Sequence, residues 1–176
     1  MQTTLIIKKN DNQDSWNTAQ PDAPAGHQDL QISFSELHNL PLQPISEIYQ
    51  SWLQLYETDP RSDLQQHPDH VARLVPIFRE MYPQLPGYLM QCRREGILVA
   101  VGILFPKYIS TKTLKAIGPA TRLPGYCLGG NGFLLEPQLQ QDDAFLKKLL
   151  DSAVNFCQQQ QASFLLLEDL LIDNPL

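Results

Sequence analysis

Two closely spaced apolar runs dominate the hydrophobic pattern of the chain. They are Tyr88-Leu89-Met90-Gln91-Cys92-Arg93 and Ile97-Leu98-Val99-Ala100-Val101-Gly102-Ile103-Leu104-Phe105, linked by Arg94-Glu95-Gly96. Two such runs joined through a short link containing Gly predict a β-hairpin. The second arm is apolar throughout, which places it in the middle of a sheet covered on both faces. Strict alternation along it sets Val99, Val101 and Ile103 on the face opposite to Leu98 and Leu104.

Elements on either side of the hairpin follow from the same periodicities. Leu30-Gln31-Ile32-Ser33-Phe34 alternates as a half-buried strand does. Pro44 suits the first turn of a helix carried by Ile45, Ile48, Tyr49, Trp52, Leu53 and Tyr56, which Asp59-Pro60 stops. His67-Pro68 opens a second helix through Val71, Leu74, Val75, Phe78, Met81 and Tyr82. Pro76 removes a donor inside that pattern, so the segment is either kinked there or restarted. Leu114 to Ile117 is a short strand closed by Gly118-Pro119, and a loop rich in turn formers leads to a strand at Phe133-Leu134-Leu135. Asp142-Asp143 start a helix whose apolar face is Phe145, Leu146, Leu149, Leu150, Ala153, Phe156 and Cys157. Ser163 to Leu167 reads as a buried strand. The expected fold is α/β of the α+β kind, a mixed sheet of about five strands with helices on its faces.

Before Leu30 the pattern fades. Asn10 to Gln28 is polar apart from Trp16, with Pro21, Pro24 and Gly26, so residues 1–28 read as a flexible tail ahead of a domain at 29–176. A chain of 176 residues suits one domain with a proper core. The net charge of −6 gives no footing for neutralising phosphates, which excludes a DNA-holding domain and argues against tRNA. The short Leu5-Ile6-Ile7 run precedes its lysines instead of following them, unlike a secretory signal, and no stretch approaches the roughly 18 apolar residues of a membrane span. The expected location is cytoplasmic, with no membrane partner. Cys92, Cys127 and Cys157 form no Cys-x-x-Cys pair and are odd in number, so they read as buried reduced thiols.

Three stretches carry candidate chemistry. His67-Pro-Asp-His70 sets two imidazoles three residues apart, but His27 and His38 offer no spacing that completes a metal set, so no metal is expected. Gly125-Tyr-Cys-Leu-Gly129-Gly130-Asn-Gly132 is the most glycine-dense stretch, and its lack of a Lys-Ser or Lys-Thr ending rules out a nucleotide P-loop. It is either a tight connection or a loop lining a ligand cleft. Glu168 and Asp169 leave a buried strand where open α/β sheets place ligands, so a carboxylate there can serve as a general base for an amine. No Gly-x-Ser-x-Gly elbow marks a hydrolase.

The order of pieces from Ile45 to Leu170 resembles a known family. The helix with Trp52-Leu53 leads to Leu64-Gln-Gln-His-Pro68-Asp-His70-Val71; then come the hairpin, Leu114-Lys-Ala-Ile-Gly118-Pro119, a helix, and Phe164-Leu-Leu-Leu-Glu168-Asp169-Leu170. This resembles the first half of the BioF2-like acetyltransferase domain, a branch of the GNAT superfamily close to the FemAB-like transferases. The chain departs from it at His70, where the family places Trp, and at Arg122-Leu-Pro-Gly125-Tyr-Cys127, which does not match the acyl-CoA pyrophosphate loop. The resemblance implies transfer of an acyl group from acetyl-CoA or another acyl-CoA to a small-molecule amine, with a second half-domain completing the site; it carries over no catalytic residue, and Glu168 is the candidate base from its place at the strand exit. No cofactor-binding residue carries over. The alternative is a non-catalytic binding module on the same fold. A half-domain that stops soon after the buried strand would also leave Phe164, Leu166, Leu170 and Leu171, within Ser163 to Leu171, as a surface for self-association.

Overall fold

The computed structural model describes residues 5–8, 30–112 and 120–167. The strands are β1 (Leu5–Lys8), β2 (Leu30–Glu36), β3 (Tyr88–Arg94), β4 (Ile97–Ser110), β5 (Arg122–Leu128), β6 (Leu134–Leu135) and β7 (Phe164–Leu167). The helices are α1 (Glu47–Thr58), α2 (Pro68–Met81) and α3 (Asp143–Gln159). Six strands lie in the order β1-β7-β5-β4-β3-β2, and the short β6 pairs with β4. Every pairing is antiparallel except β5 with β7, so the sheet is mixed.

Local chemistry fixes the helix starts. Ser46 caps α1 by accepting from Tyr49 N at 3.3 Å, so the helix begins after Pro44 and leaves Ile45 91 % exposed. His67 caps α2 through Nδ1, which accepts from Asp69 N at 3.1 Å, with Pro68 in the first helical position. The helix runs through Pro76 to Met81, and Pro76 itself lies exposed, where water can reach the turn the ring disrupts. Asp142 caps α3 by accepting from Phe145 N at 2.9 Å.

The hairpin turns at Glu95 and Gly96, with φ of 52° and 82°, the left-handed pair that a two-residue β-turn of matching twist requires. β4 pairs with β3, β5 and β6 and is buried from Leu98 to Pro106, so the apolar run is the central strand. Its facing departs from strict alternation. Ala100 stands opposite Cys92 but Leu98 stands opposite Arg93, which leaves Val99 as an extra residue in a bulge. Val99 therefore shares the α3-side core with Ala100 and Leu104, whereas Leu98 joins Val101 and Ile103 under α1 and α2. Alternation holds again from Ala100 onward.

Three expectations change. The tail expected over 1–28 is interrupted, because Leu5–Lys8 pairs antiparallel with Phe164–Leu167 as β1. A three-residue apolar run is too short to be read as a strand until the open side of β7 supplies its partner. The loop expected after Pro119 contains β5, which pairs with β4 over its whole length from Arg122 to Leu128. Pro124 lacks an amide donor, but its carbonyl accepts from Ser163 N at 2.8 Å, just before β7. Phe164 and Leu166, expected on an adhesive surface, are buried with Cys127. Leu170, Leu171, Glu168 and Asp169 lie outside the described residues, as does the strand expected at Leu114–Ile117.

Gly125 shows why β5 reads poorly from sequence. A Cβ at this position would stand 2.6 Å from both Cε1 and the carbonyl oxygen of Phe164. Only glycine lets β7 approach so closely. Gly125→Val should therefore cost about 3 kcal/mol through overpacking, as a lower urea midpoint with little change in slope. A midpoint equal to that of the parent would show that β7 is not seated on Gly125.

Candidate functional site

β5 and β7 are adjacent and parallel, while the other neighbour of β5 runs antiparallel. The strand direction therefore reverses at β5, and the chain crosses from β5 to β7 through β6 and α3. In open α/β sheets ligands commonly bind outside the carboxyl ends of neighbouring parallel strands. A cleft of about 370 Å³ opens at that place. Leu128 ends β5 and Leu167 ends β7; with Leu135 of β6 and Leu146 and Leu150 of α3 they form its apolar wall. Arg61, Lys147, Asn131 and Phe133 also line it. The Arg61 side chain is 41 % exposed and that of Lys147 76 %, so both cations sit at the rim in reach of water. Lys147 contacts Asp151 one turn on, at 2.7 Å.

The link between α1 and α2 shapes this cleft by gripping the glycine-rich loop. Asp59, 2 % exposed, is the hub. Its Oδ1 accepts from Arg61 N at 2.9 Å and Gln140 Nε2 at 3.1 Å, and its Oδ2 accepts from Leu135 N at 3.0 Å. Arg61 Nε donates to the same Oδ1 at 3.3 Å, which orients the guanidinium. Gln66, 1 % exposed, is the second hub: its Nε2 donates to Gly132 O at 3.0 Å, and its carbonyl accepts from the buried Trp52 Nε1 at 2.9 Å. Asn131 Nδ2 donates to Arg61 O at 2.8 Å. Gly130 has φ +62°, and a Cβ there would meet Gln66 Cγ at 2.6 Å. These bonds tie together residues more than 60 positions apart and hold Arg61 at the cleft.

The two readings of the glycine-rich stretch both apply. Gly125 and Gly130 serve close packing, whereas Leu128, Asn131, Gly132 and Phe133 line the cleft. Glu168 lies outside the described residues, and its predecessor Leu167 lines the cleft. His67 is occupied as a helix cap and packs edge-on against Tyr56, and among the described residues no group of three or more His, Cys, Asp or Glu side chains is placed to hold a metal. The three cysteines are buried and form no disulfide. Burial pushes Cys92 up to about 11 and Cys157 up to about 12, so both stay protonated and unreactive at neutral pH. Among the described residues no helix is long and apolar enough to cross a membrane.

Sequence reasoning missed Asp59, Arg61 and Lys147. Asp59-Pro60 registered only as a helix stop, although Asp beside a turn is well placed to collect backbone donors. Lys147 looks like any polar-face lysine until α3 is docked. No family model matches the chain, and no curated protein matches it either.

Proposed function

We propose that the chain is an N-acyltransferase-type domain of the BioF2-like, GNAT-related kind, which seats an acyl-CoA in the cleft at the ends of β5 and β7. The observation that carries this reading is the composition of the cleft at the carboxyl ends of β5 and β7: an apolar wall with two cations at its rim. The wall suits an acyl chain and its thioester arm, and Arg61 and Lys147 suit the phosphates of the CoA end. Glu168, which follows Leu167 in the chain, is the proposed base: it takes a proton from the acceptor amine, whose nitrogen attacks the thioester carbonyl. The C–S bond then breaks and the CoA thiol leaves with a proton. The family resemblance adds a second half-domain as the partner that completes the acceptor side.

One observation favours the second reading, a binding module without catalysis. Among the described residues that line the cleft there is no carboxylate, imidazole or hydroxyl. Isothermal titration with acetyl-CoA and butyryl-CoA, followed by thiol-release assays with amine mixtures, separates the two. Saturable binding with thiol release supports the transferase. Saturable binding without release supports the module, and absence of binding by either thioester contradicts the cleft as an acyl-CoA site.

A further inference from the structure

We propose that Phe133 sets the length of acyl chain the cleft accepts, so that its substrates are short-chain acyl thioesters whose chain ends against this ring. The inference rests on the acyl-CoA reading of the cleft and extends it to the kind of acyl group.

A register position and a missing side chain put the ring where it is. β6 pairs with β4 through Leu135 opposite Ala100 and Leu134 opposite Val101. One position further, Phe133 comes opposite Gly102, and cross-strand neighbours leave a sheet on the same face. Gly102 falls in the gap where β5 has ended, opposite Leu104, and β6 has not yet begun. A Cβ on Gly102 would lie 2.7 Å from both Cδ1 and Cε1 of Phe133 and 3.3 Å from Leu128 Cδ1. The ring therefore lies down on the bare backbone of the central strand, and only glycine permits it. Its own backbone is held from the preceding residue: Gly132 has φ +103°, and its carbonyl accepts from Gln66 Nε2 at 3.0 Å.

On the far side of Gly102, β3 sets Met90 in register with it, 1 % exposed. Phe133 is half-buried and stands between two spaces: it lines the cleft with Leu128, and it packs against the α3-side core that contains Met90. The ring is the partition between them. Adjacent strands lie about 4.8 Å apart, so a chain entering between β5 and β7 reaches the line of β4 after about 7 Å. An extended chain advances about 1.3 Å per carbon, and the ring fills the last part of that distance, which leaves room for about four carbons.

Two substitutions move the partition in opposite directions. Phe133→Ala opens the notch over Gly102 to the cleft and lengthens it. Gly102→Ala places a methyl where the ring edge lies, so the ring must lift toward the cleft and shorten it. Both remove good packing and should lower stability, but a residue that only filled the core would not shift chain-length preference one way in the first variant and the other way in the second.

The test is calorimetric titration of the full chain with acetyl-, butyryl-, hexanoyl- and octanoyl-CoA, each variant first shown folded by a cooperative thermal transition. Each buried methylene should raise affinity about fourfold. The parent should gain about fifteenfold from acetyl to butyryl and nothing further to octanoyl. In Phe133→Ala the gain should continue, with hexanoyl-CoA about fifteenfold tighter than butyryl-CoA. In Gly102→Ala butyryl-CoA should fall to the affinity of acetyl-CoA. If that variant does not fold, Phe133→Leu replaces it and should give a hexanoyl gain between those of the parent and Phe133→Ala. Affinity that climbs evenly to octanoyl in the parent, or a chain-length order unchanged in Phe133→Ala, overturns the proposal and leaves the acyl-CoA reading in place. Absence of binding by all four thioesters removes both.

Discussion

Asp59→Ala should destabilise the protein by about 3 kcal/mol, the largest expected effect of any single polar substitution in this fold. The carboxylate is 2 % exposed and collects donors from three segments of chain. Removing it strands the amide of Leu135, a residue with no exposed surface, and an unpaired buried donor costs about 1–3 kcal/mol. The half-buried amide of Gln140 adds a smaller loss. The Arg61 guanidinium contributes little here, because it is 41 % exposed and water can replace the pair. For a chain of this size each kcal/mol is roughly 2–4 °C, so the thermal midpoint should fall by about 6–12 °C. Asp59→Asn keeps one acceptor oxygen and should lose about half as much. A fall below about 2 °C for the alanine variant would mean that the β6 amide is satisfied without Asp59.

The second large effect is on ligand affinity. Arg61→Gln combined with Lys147→Gln should weaken acyl-CoA binding about a hundredfold, near 2.7 kcal/mol. Each cation at the rim is expected to supply one charge-assisted contact to phosphate, worth about a factor of ten. The same double variant should change binding of an uncharged acyl-pantetheine less than about threefold, since the apolar wall of Leu128, Leu135 and Leu150 is untouched. Stability should fall much less than in Asp59→Ala, because Asp59 keeps Arg61 N, Leu135 N and Gln140 Nε2. Equal losses for both ligands would place the phosphates elsewhere.

Segments whose burial follows from their own periodicity were legible in the sequence. The hairpin, the central position of β4, the apolar face of α3 and the buried run of β7 belong to this group. Elements defined by a distant partner were not. β1 exists as a strand against β7, and β5 contains Pro124 and Gly125, which read as turn residues until Phe164 and Ser163 are seen against them. The bulge at Val99 inverts the facing of the first residues of β4, and nothing in a uniformly apolar run marks where a register slips. The cleft was legible in outline, through the glycine-rich stretch and the end of β7. Its cations were not, because Arg61 is positioned by Asp59 and Asn131, and Lys147 by the docking of α3.

The central claim is that the junction of β5 and β7 receives an acyl thioester, and methyl-labelled NMR during titration with butyryl-CoA tests it most directly. The account predicts saturable shifts at the methyls of Leu128, Leu135, Leu146 and Leu150, with the methyls of Leu55 and Leu98 across the sheet unmoved. Shifts confined to Leu55 and Leu98, or none at saturating thioester, would contradict it.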